Sequence, residues 1–498
     1  MSLIPDYESQ FQRMHAASRR EPPLDEVGRK ALLRALRQCL CHARADLFAA
    51  VSQDFGCRSA QETLLAEVLP SMLIIHNALR NLASWMRPRR RGVALEFRPA
   101  RNRLMWQPKG VVLIISPWNY PLNLVLGPLV AALAAGNRVV IKPSELSPAT
   151  SDVLKRHLEA TLGPDRVTVA TGGVEVSHAL CCLPFDHIFF TGSTAVGREI
   201  MRLASVKLTP VTLELGGKAP VIVHQDAELT TAARRIARGK LINAGQTCIA
   251  PDYVLIPRTV KDAFIERYRD AATALYPRLI DNPEYTSIIS ARHFDRIIDL
   301  AKEARMKGAK LSILDPAGEL PAGQIGAANV RKIAPVILSD VTDDMKVMQE
   351  EIFGPLLPVV PYDGLDEAIA FVNSRPRPLS LYYFDRNRDR VGRVLSETVS
   401  GGVSVNDTLM HFAQADLPFG GIGSSGMGAY HGFDGFRTFS HQKGIFVQSR
   451  YAVSDWLTPP YGLFFALMTA FTDWRLGGRS AAQRSGADSA RSPRLRGN

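Results

Sequence analysis

Cysteine is scarce in this chain, and its placement excludes the scaffolds that cysteine usually builds. Cys39, Cys41, Cys57, Cys181, Cys182 and Cys248 are the only six among 498 residues, too few and too irregular for a disulfide framework. No two are spaced as CxxC and no HExxH occurs, so no metal is expected. Long apolar runs are missing as well: none reaches the ~18 residues needed to span a bilayer. The opening MSLIPDYESQFQRM has no basic stretch followed by an apolar one, which predicts no secretory leader and a cytoplasmic protein. The net charge is +12, with eight arginines between Arg80 and Arg103 and six, against one aspartate, from Arg475 to Asn498. Base-stacking aromatics do not interleave with these charges, so they read as solvated surface and no nucleic acid is expected.

What is present is the composition of an ordinary globular protein, 46% hydrophobic and 22% charged, with length for two or three domains. The first hundred residues are helical in pattern; VGRKALLRALRQCLCHARADLFAAVSQDF places its apolar residues at helical spacing. From Met105 short Val/Ile-rich runs alternate with helices. GVVLIIS, NRVVIKPS, RVTVATG and HIFFTGS read as strands, and NLVLGPLVAALAAG, PATSDVLKRHLEATL and VEVSHALCCL as helices. Strands apolar on both faces predict a doubly wound α/β domain, the architecture that binds nucleotides at the carboxyl ends of its strands. A second α/β unit follows, with strands in APVIVHQDAEL, DYVLIPR, KIAPVILSD, GPLLPVVPY and SLYYFDR and a helix predicted to run to Gly245. The apolar run YGLFFALMTAF, Tyr461 to Phe471, is too short to span a membrane. It would cap a pocket, pack on a partner subunit or rest peripherally on a membrane, and a disordered basic tail is expected over 476–498.

Three glycine patterns invite a nucleotide reading. GIGSSG, Gly421 to Gly426, follows no strand and lacks an acidic residue at the offset of the dinucleotide fingerprint, so it reads as a loop. GSTAVGR, Gly192 to Arg198, follows the strand HIFF and opens a helix; its residues fit either an anion cradle or an ordinary turn. LELGGKAP reads as a bend after a strand and carries Glu214. Cys248 in NAGQTCIAP is, by itself, more simply a buried hydrophobe than a nucleophile. Its company changes that reading: Asn119 in SPWNYP, Lys142 and Glu145 in IKPSE, Glu214, and Glu351 in EEIFGP.

PWNYP, KPSE, FTGS, LELGGK, NAGQTC, EEIFGP and LPFGG stand here in the order and rough spacing of the aldehyde dehydrogenase superfamily, which the chain resembles over about residues 20 to 450. GQTCIAPDYVL and GIGSSGMGAYHGFDGFRTFSHQK resemble its class 3 branch, and VNDTLMHFAQADLPFGG is most similar to bacterial coniferyl aldehyde dehydrogenases. The resemblance implies an NAD-binding domain over 1–89 and 108–216, a catalytic domain over 217–425, a small β oligomerisation arm over 90–107 and 426–450, and an apolar extension over 451–475. It makes Cys248 the nucleophile, Glu214 the general base and Asn119 an oxyanion donor. Lys142 and Glu145 would hold the adenosine ribose, Gly192 and Ser193 approach the pyrophosphate, and Glu351 and Phe353 meet the nicotinamide riboside. A carboxylate at Glu145 favours NAD, with NADP accepted by class 3 relatives. Tyr120, His411 and Phe412 would line an apolar approach for an aryl or long-chain aldehyde, and a homodimer is expected.

Overall fold

The structure, a computed structural model, describes residues 4–94, 97–452, 455 and 458–477. These form two compact units, one of residues up to 86 together with 107–441, the other of residues 87–106 together with those from 442 onward.

In the larger unit the Val/Ile-rich runs are strands, because β-branched side chains pack well on a pleated surface. β1 (Val111–Ile115), β2 (Arg138–Lys142), β3 (Val167–Val169), β4 (His187–Gly192) and β5 (Val211–Leu215) lie parallel in the order β5-β4-β1-β2-β3. Every residue of β1 and β2 is buried, as in a sheet covered on both faces. Helix Asn123–Ala135 has no polar face and no exposed residue. It packs on β1 and β2 and also on helices Glu26–His42 and Leu69–Met86, so water reaches no side of it. The chain leaves β1 towards β2 and β3, then crosses back to β4 and β5. Strand order therefore reverses between β1 and β4, which opens a crevice at their carboxyl ends.

The second sheet holds β6 (Pro220–Val223), β7 (Tyr253–Pro257), β8 (Lys310–Ile313), β9 (Val336–Ser339), β10 (Leu356–Tyr362), β11 (Ser380–Phe384) and β12 (Gly402–Val405). Their order is β8-β9-β10-β7-β6-β11-β12, and only β8 runs antiparallel to its neighbour. Alternate residues of one strand serve two cores: Val221, Val254 and Ile337 face one, Ile222, Leu255 and Leu338 the other, as the two-residue period of a strand requires. A short β13 (Gly426–Met427) returns antiparallel to β5, with Gly426 opposite Glu214. The GIGSSG segment is thus the loop that closes the edge of the first sheet. The segment expected as an arm over 426–450 divides, its first residues joining β5 and Ser440–Val447 joining the smaller unit's sheet.

The helix expected to reach Gly245 stops at Leu241. Asn243 (φ 52°), Ala244 (φ 50°) and Gly245 (φ 78°) are successively left-handed, a conformation that costs an ordinary residue about 1–2 kcal/mol and glycine almost nothing. A Cβ on Gly245 would strike the carbonyl of Gly354. This turn aims the following loop, with Cys248, away from the helix axis.

In the smaller unit Arg89–Arg91 pairs antiparallel with Arg101–Pro108, and Ser440–Val447 is the third strand. The run YGLFFALMTAF lies largely in helix Leu463–Gly477. Of the basic tail expected over 476–498, residues from 478 onward lie outside the described residues. Among the described residues no helix is long and apolar enough to cross a membrane.

Gly392, in the exposed interior of helix Arg388–Glu397 with open space around it, gives the opposite case to Gly245. Gly392→Ala is expected to raise stability by about 0.5–1 kcal/mol through helix propensity, whereas Gly245→Ala combines left-handed strain with backbone overlap and lowers it by at least about 2 kcal/mol. Scanning calorimetry of the two variants should shift the unfolding midpoint in opposite directions.

Candidate active site

The carboxyl ends of β1, β4 and β5 and the loop before β7 converge on a cavity of about 240 Å³. β1 supplies Pro117, Trp118 and Asn119 just beyond its end; β4 supplies Thr191, Gly192 and Ser193; β5 supplies Glu214, Leu215 and Gly216. Cys248, Glu351 and Phe353 complete the side that belongs to the second sheet, together with His293 and Arg296. The cavity sits at the strand-order reversal, where open α/β sheets bind their ligands.

Cys248 faces this cavity from a loop locked by amides. The Asn119 Nδ2 donates to the Gln246 carbonyl at 3.1 Å, and the Asn243 Nδ2 donates to the Asn119 and Gln246 carbonyls at 2.9 and 3.0 Å. The Gln246 side chain donates to the Asn243 and Ser287 carbonyls and accepts from the Ile289 N–H. Asn119, Asn243 and Gln246 are all buried, where a satisfied network holds one geometry. One amide hydrogen of Asn119 is engaged by Gln246, which leaves the second for a ligand in the cavity. Burial, then the nearby Glu351 and Glu214 carboxyls, pushes the Cys248 thiol up to about 12, while the backbone N–H groups of Cys248 and Ile249 favour the thiolate.

Glu214 lies near the end of β5, with neither carboxyl oxygen hydrogen-bonded within the protein. Burial holds its carboxyl well above the usual carboxylate range, since desolvation penalises the charged form. Glu351 is raised to about 8, mainly by burial and by Asp252, against the Gly217 N–H, Lys218 and Arg296. Its loop is fastened on both sides: Lys218 Nζ donates to the Val347 and Glu350 carbonyls and pairs with Asp252 at 3.0 Å, and Arg296 donates to the Glu351 carbonyl. Phe353 is left-handed (φ 51°) and its ring meets Trp118 edge-on, 5.4 Å between centroids. Trp118 also meets His293 at 4.8 Å.

Residues suited to a dinucleotide follow the same crevice. Lys142, at the end of β2, is buried, its ammonium donating to the Pro143 carbonyl and standing 3.7 Å from Glu145. Burial lowers the Lys142 pKa and Glu145 opposes the shift. Ser193 caps helix Thr194–Ser205 by accepting from the Val196 N–H, so this helix presents the positive end of its dipole to the crevice. A Cβ on Gly192 would meet the Phe190 ring at 2.5 Å. The Ser116 and Thr191 hydroxyls and one Glu351 oxygen are buried without a hydrogen-bond partner among the described residues. Orphaned polar atoms beside a strand-order reversal and a helix N-terminus fit a bound dinucleotide.

The three residues expected along the aldehyde's approach stand behind the cavity wall. The Tyr120 hydroxyl shares a 2.8 Å hydrogen bond with Thr247, next to Cys248. Both ring nitrogens of His411 are engaged, by Ser380 at 2.8 Å and Ser404 at 2.9 Å, and Phe412 packs on Phe419 and His431. Sequence reasoning did not single out Trp118, His293, Arg296 or Lys218. Trp118 and Lys218 lie within PWNYP and LELGGK; His293 and Arg296 lie on helix Ala291–Met306, whose sequence carries no local sign of a site.

A cysteine, an amide with a hydrogen to spare and a desolvated carboxyl around a crevice that fits a dinucleotide define the class, and residues 6–445 match the aldehyde dehydrogenase family. The chain belongs to that family, whose enzymes oxidise aldehydes with NAD(P). It is 50% identical over 459 residues to a probable coniferyl aldehyde dehydrogenase of Pseudomonas aeruginosa, across 92% of this chain and 94% of that one. To aldehyde dehydrogenase family 3 member A2 of Pongo abelii it is 42% identical, across 89% and 90% of the two chains. The substrate-bound state of Staphylococcus aureus AldH superposes with a TM-score of 0.87 at 39% identity, covering 95% of this chain and 100% of that one.

With the thiol raised this far, the rate of Cys248 alkylation by iodoacetamide in the cofactor-free protein should climb with pH and still be rising at pH 10, because only the thiolate reacts. Peptide mapping by mass spectrometry reads the rate. A plateau below pH 8 would contradict the electrostatics described above.

Proposed function

We propose that the protein oxidises an aromatic aldehyde of the coniferyl type to its carboxylic acid, with NAD as the preferred cofactor. The observation that carries this reading is the convergence of Cys248, Glu214 and Asn119 on one cavity at the strand-order reversal. The Cys248 sulfur attacks the aldehyde carbon, forming a thiohemiacetal whose oxyanion takes hydrogen bonds from the free Asn119 amide hydrogen and the Cys248 N–H. The cofactor, when bound, accepts a hydride from that carbon and brings a positive charge that favours the thiolate. Loss of the hydride leaves a thioester on Cys248. Glu214 then takes a proton from water, which attacks the thioester and frees the acid and the thiol. Its burial makes it a stronger base than an exposed carboxylate once ionised, and this is also why it must first lose its own proton.

Several features support the finer parts of the proposal. The Pseudomonas aeruginosa relative's name favours an aryl propenal, and Trp118, Phe353 and His293 give the cavity an aromatic wall. Glu145 beside Lys142 suits the two free ribose hydroxyls of NAD and opposes a 2′-phosphate. Tyr120 stands behind the oxyanion donor, His411 meets Tyr382, whose hydroxyl donates to the Ile249 carbonyl at 2.5 Å, and Phe412 supports that wall from Phe419 and His431. The eight-residue strand Ser440–Val447 is an exposed edge, which favours strand addition between two copies and hence a homodimer. The two sheets support a cofactor-bearing domain over 1–89 and 108–216 and a catalytic one over 217–425, and a cytoplasmic site of action is part of the same proposal.

Coniferyl aldehyde and NAD without coenzyme A should yield NADH and 4-hydroxy-3-methoxycinnamic acid in equal amounts. A requirement for coenzyme A would assign the protein instead to acyl transfer, and a preference for long-chain alkyl aldehydes would place the substrate elsewhere. Cys248→Ala should abolish turnover. For Glu214→Gln, steady-state turnover should fall while a first-turnover burst of NADH remains, and the part of the rate's rise with pH that comes from hydrolysis should be lost, since the raised Glu214 pKa makes hydrolysis quicken as pH rises. Glu145→Gln should narrow the preference for NAD over NADP, measured as the ratio of kcat/KM.

A further inference from the structure

Behind the site lies a buried ion cluster to which no step above gives a part. Arg58, Glu62 and Glu67 are buried, at 2%, 9% and 0% exposure, where side chains of these types are costly unless paired. Arg58 Nη1 stands 3.1 Å from Glu67 Oε1, and Arg58 Nε 3.5 Å from Glu62 Oε1. Two carboxyls share one guanidinium, so the cluster does not neutralise itself, and its remaining bonds show what it serves. Arg58 Nη1 donates to the Asn119 carbonyl at 3.1 Å, and its guanidinium lies over the Tyr120 ring, 4.9 Å from the centroid. Glu67 Oε2 accepts from the Leu122 N–H at 2.6 Å and the Asn123 N–H at 3.2 Å. Glu62 Oε1 accepts from the Asn243 N–H at 2.9 Å and the Thr286 hydroxyl at 3.1 Å. Every one of these partners belongs to the Asn119 loop, to the loop that carries Cys248, or to the segment beneath it.

We infer that Arg58, with Glu62 and Glu67, is a positioning centre that fixes the oxyanion donor Asn119 relative to the nucleophile loop. It rests on the role proposed above for Asn119. The cluster grips the backbone at the Asn119 carbonyl and just beyond it, at the N–H groups of Leu122 and Asn123, so the side-chain amide has little freedom to drift from the oxyanion. Through Glu62 the same cluster holds the N–H of Asn243, whose side chain donates to the Asn119 carbonyl. Donor and nucleophile are thus tied to one charged centre by separate bonds. Lysine at position 58 would keep the charge but lose the planar fork that reaches Glu67, Asn119 and the Tyr120 face together.

The test is a double-mutant cycle read in kcat, with cofactor affinity measured by fluorescence titration. Removing an oxyanion donor costs about 10²–10³-fold, so Asn119→Ala sets the ceiling on what misplacing that donor can cost. Arg58→Lys should lower kcat about 10–100-fold and leave the NAD dissociation constant within about twofold, because the bonds of Arg58 go to Glu62, Glu67 and the Asn119 carbonyl and not to Lys142, Glu145, Gly192 or Ser193. In the Asn119→Ala background the same change should cost less than threefold. Glu62→Gln, which keeps side-chain volume, serves where Arg58→Lys does not fold, and is expected to show a smaller loss that is likewise absent without Asn119. Additive losses in the cycle, or full kcat in the single variants, overturn the positioning role. An Asn119→Ala enzyme with full kcat would instead remove the oxyanion reading, and the positioning role with it.

Discussion

Three buried amides, Asn119, Asn243 and Gln246, clasp the loop after β1 to the loop before β7, and the catalytic geometry hangs on that clasp. The two loops come from different sheets and from sequence positions more than a hundred residues apart. Each amide has both donors and acceptors, so three of them can satisfy one another's backbone carbonyls while still leaving a hydrogen for an oxyanion. The left-handed turn at Asn243, Ala244 and Gly245 makes the clasp possible by ending the preceding helix abruptly. Strain of this kind persists where surrounding bonds over-determine it, and here they also fix the nucleophile.

The second constraint is desolvation. Glu214, Glu351 and the Cys248 thiol are all displaced towards their neutral forms by burial, and each carboxyl makes the thiolate harder still to form. In so low a dielectric every interaction with a charge is strong. The same burial that silences the resting groups thus increases their effect on a bound substrate. The Arg58 cluster belongs to this logic, since its charge is spent on backbone groups of the site and not on the solvent.

Much of this was legible in the chain. Val111–Ile115, Arg138–Lys142, His187–Gly192 and the strands of the second sheet were marked by β-branched runs, because a strand's period and its burial are local properties. Cys248, Glu214 and Asn119 were marked by ordered motifs and not by any property of their immediate neighbours. What could not be read was whatever depends on distance across the fold. His293 and Arg296 reach the cavity from a helix whose sequence looks like any amphipathic surface helix, and Arg58, just before a helix, and Glu62 and Glu67, within helical turns, sit where charge ordinarily means solvent. The helix ending at Leu241 was read too long, since Asn243 and Ala244 show no sign in their types that tertiary bonds hold them left-handed.

The sequence by itself determined the alternation of strands and helices and, through its ordered motifs, the family to which the chain belongs. Those follow from periodicity and from motifs, which are written locally and in order. Only the tertiary structure decided that Asn119 would have one hydrogen engaged and one free, that Glu214 would have no partner, and that His411 would have both nitrogens occupied. The reason is physical: hydrogen bonding and desolvation depend on which groups meet in three dimensions, and residue types along a chain do not specify those meetings one by one.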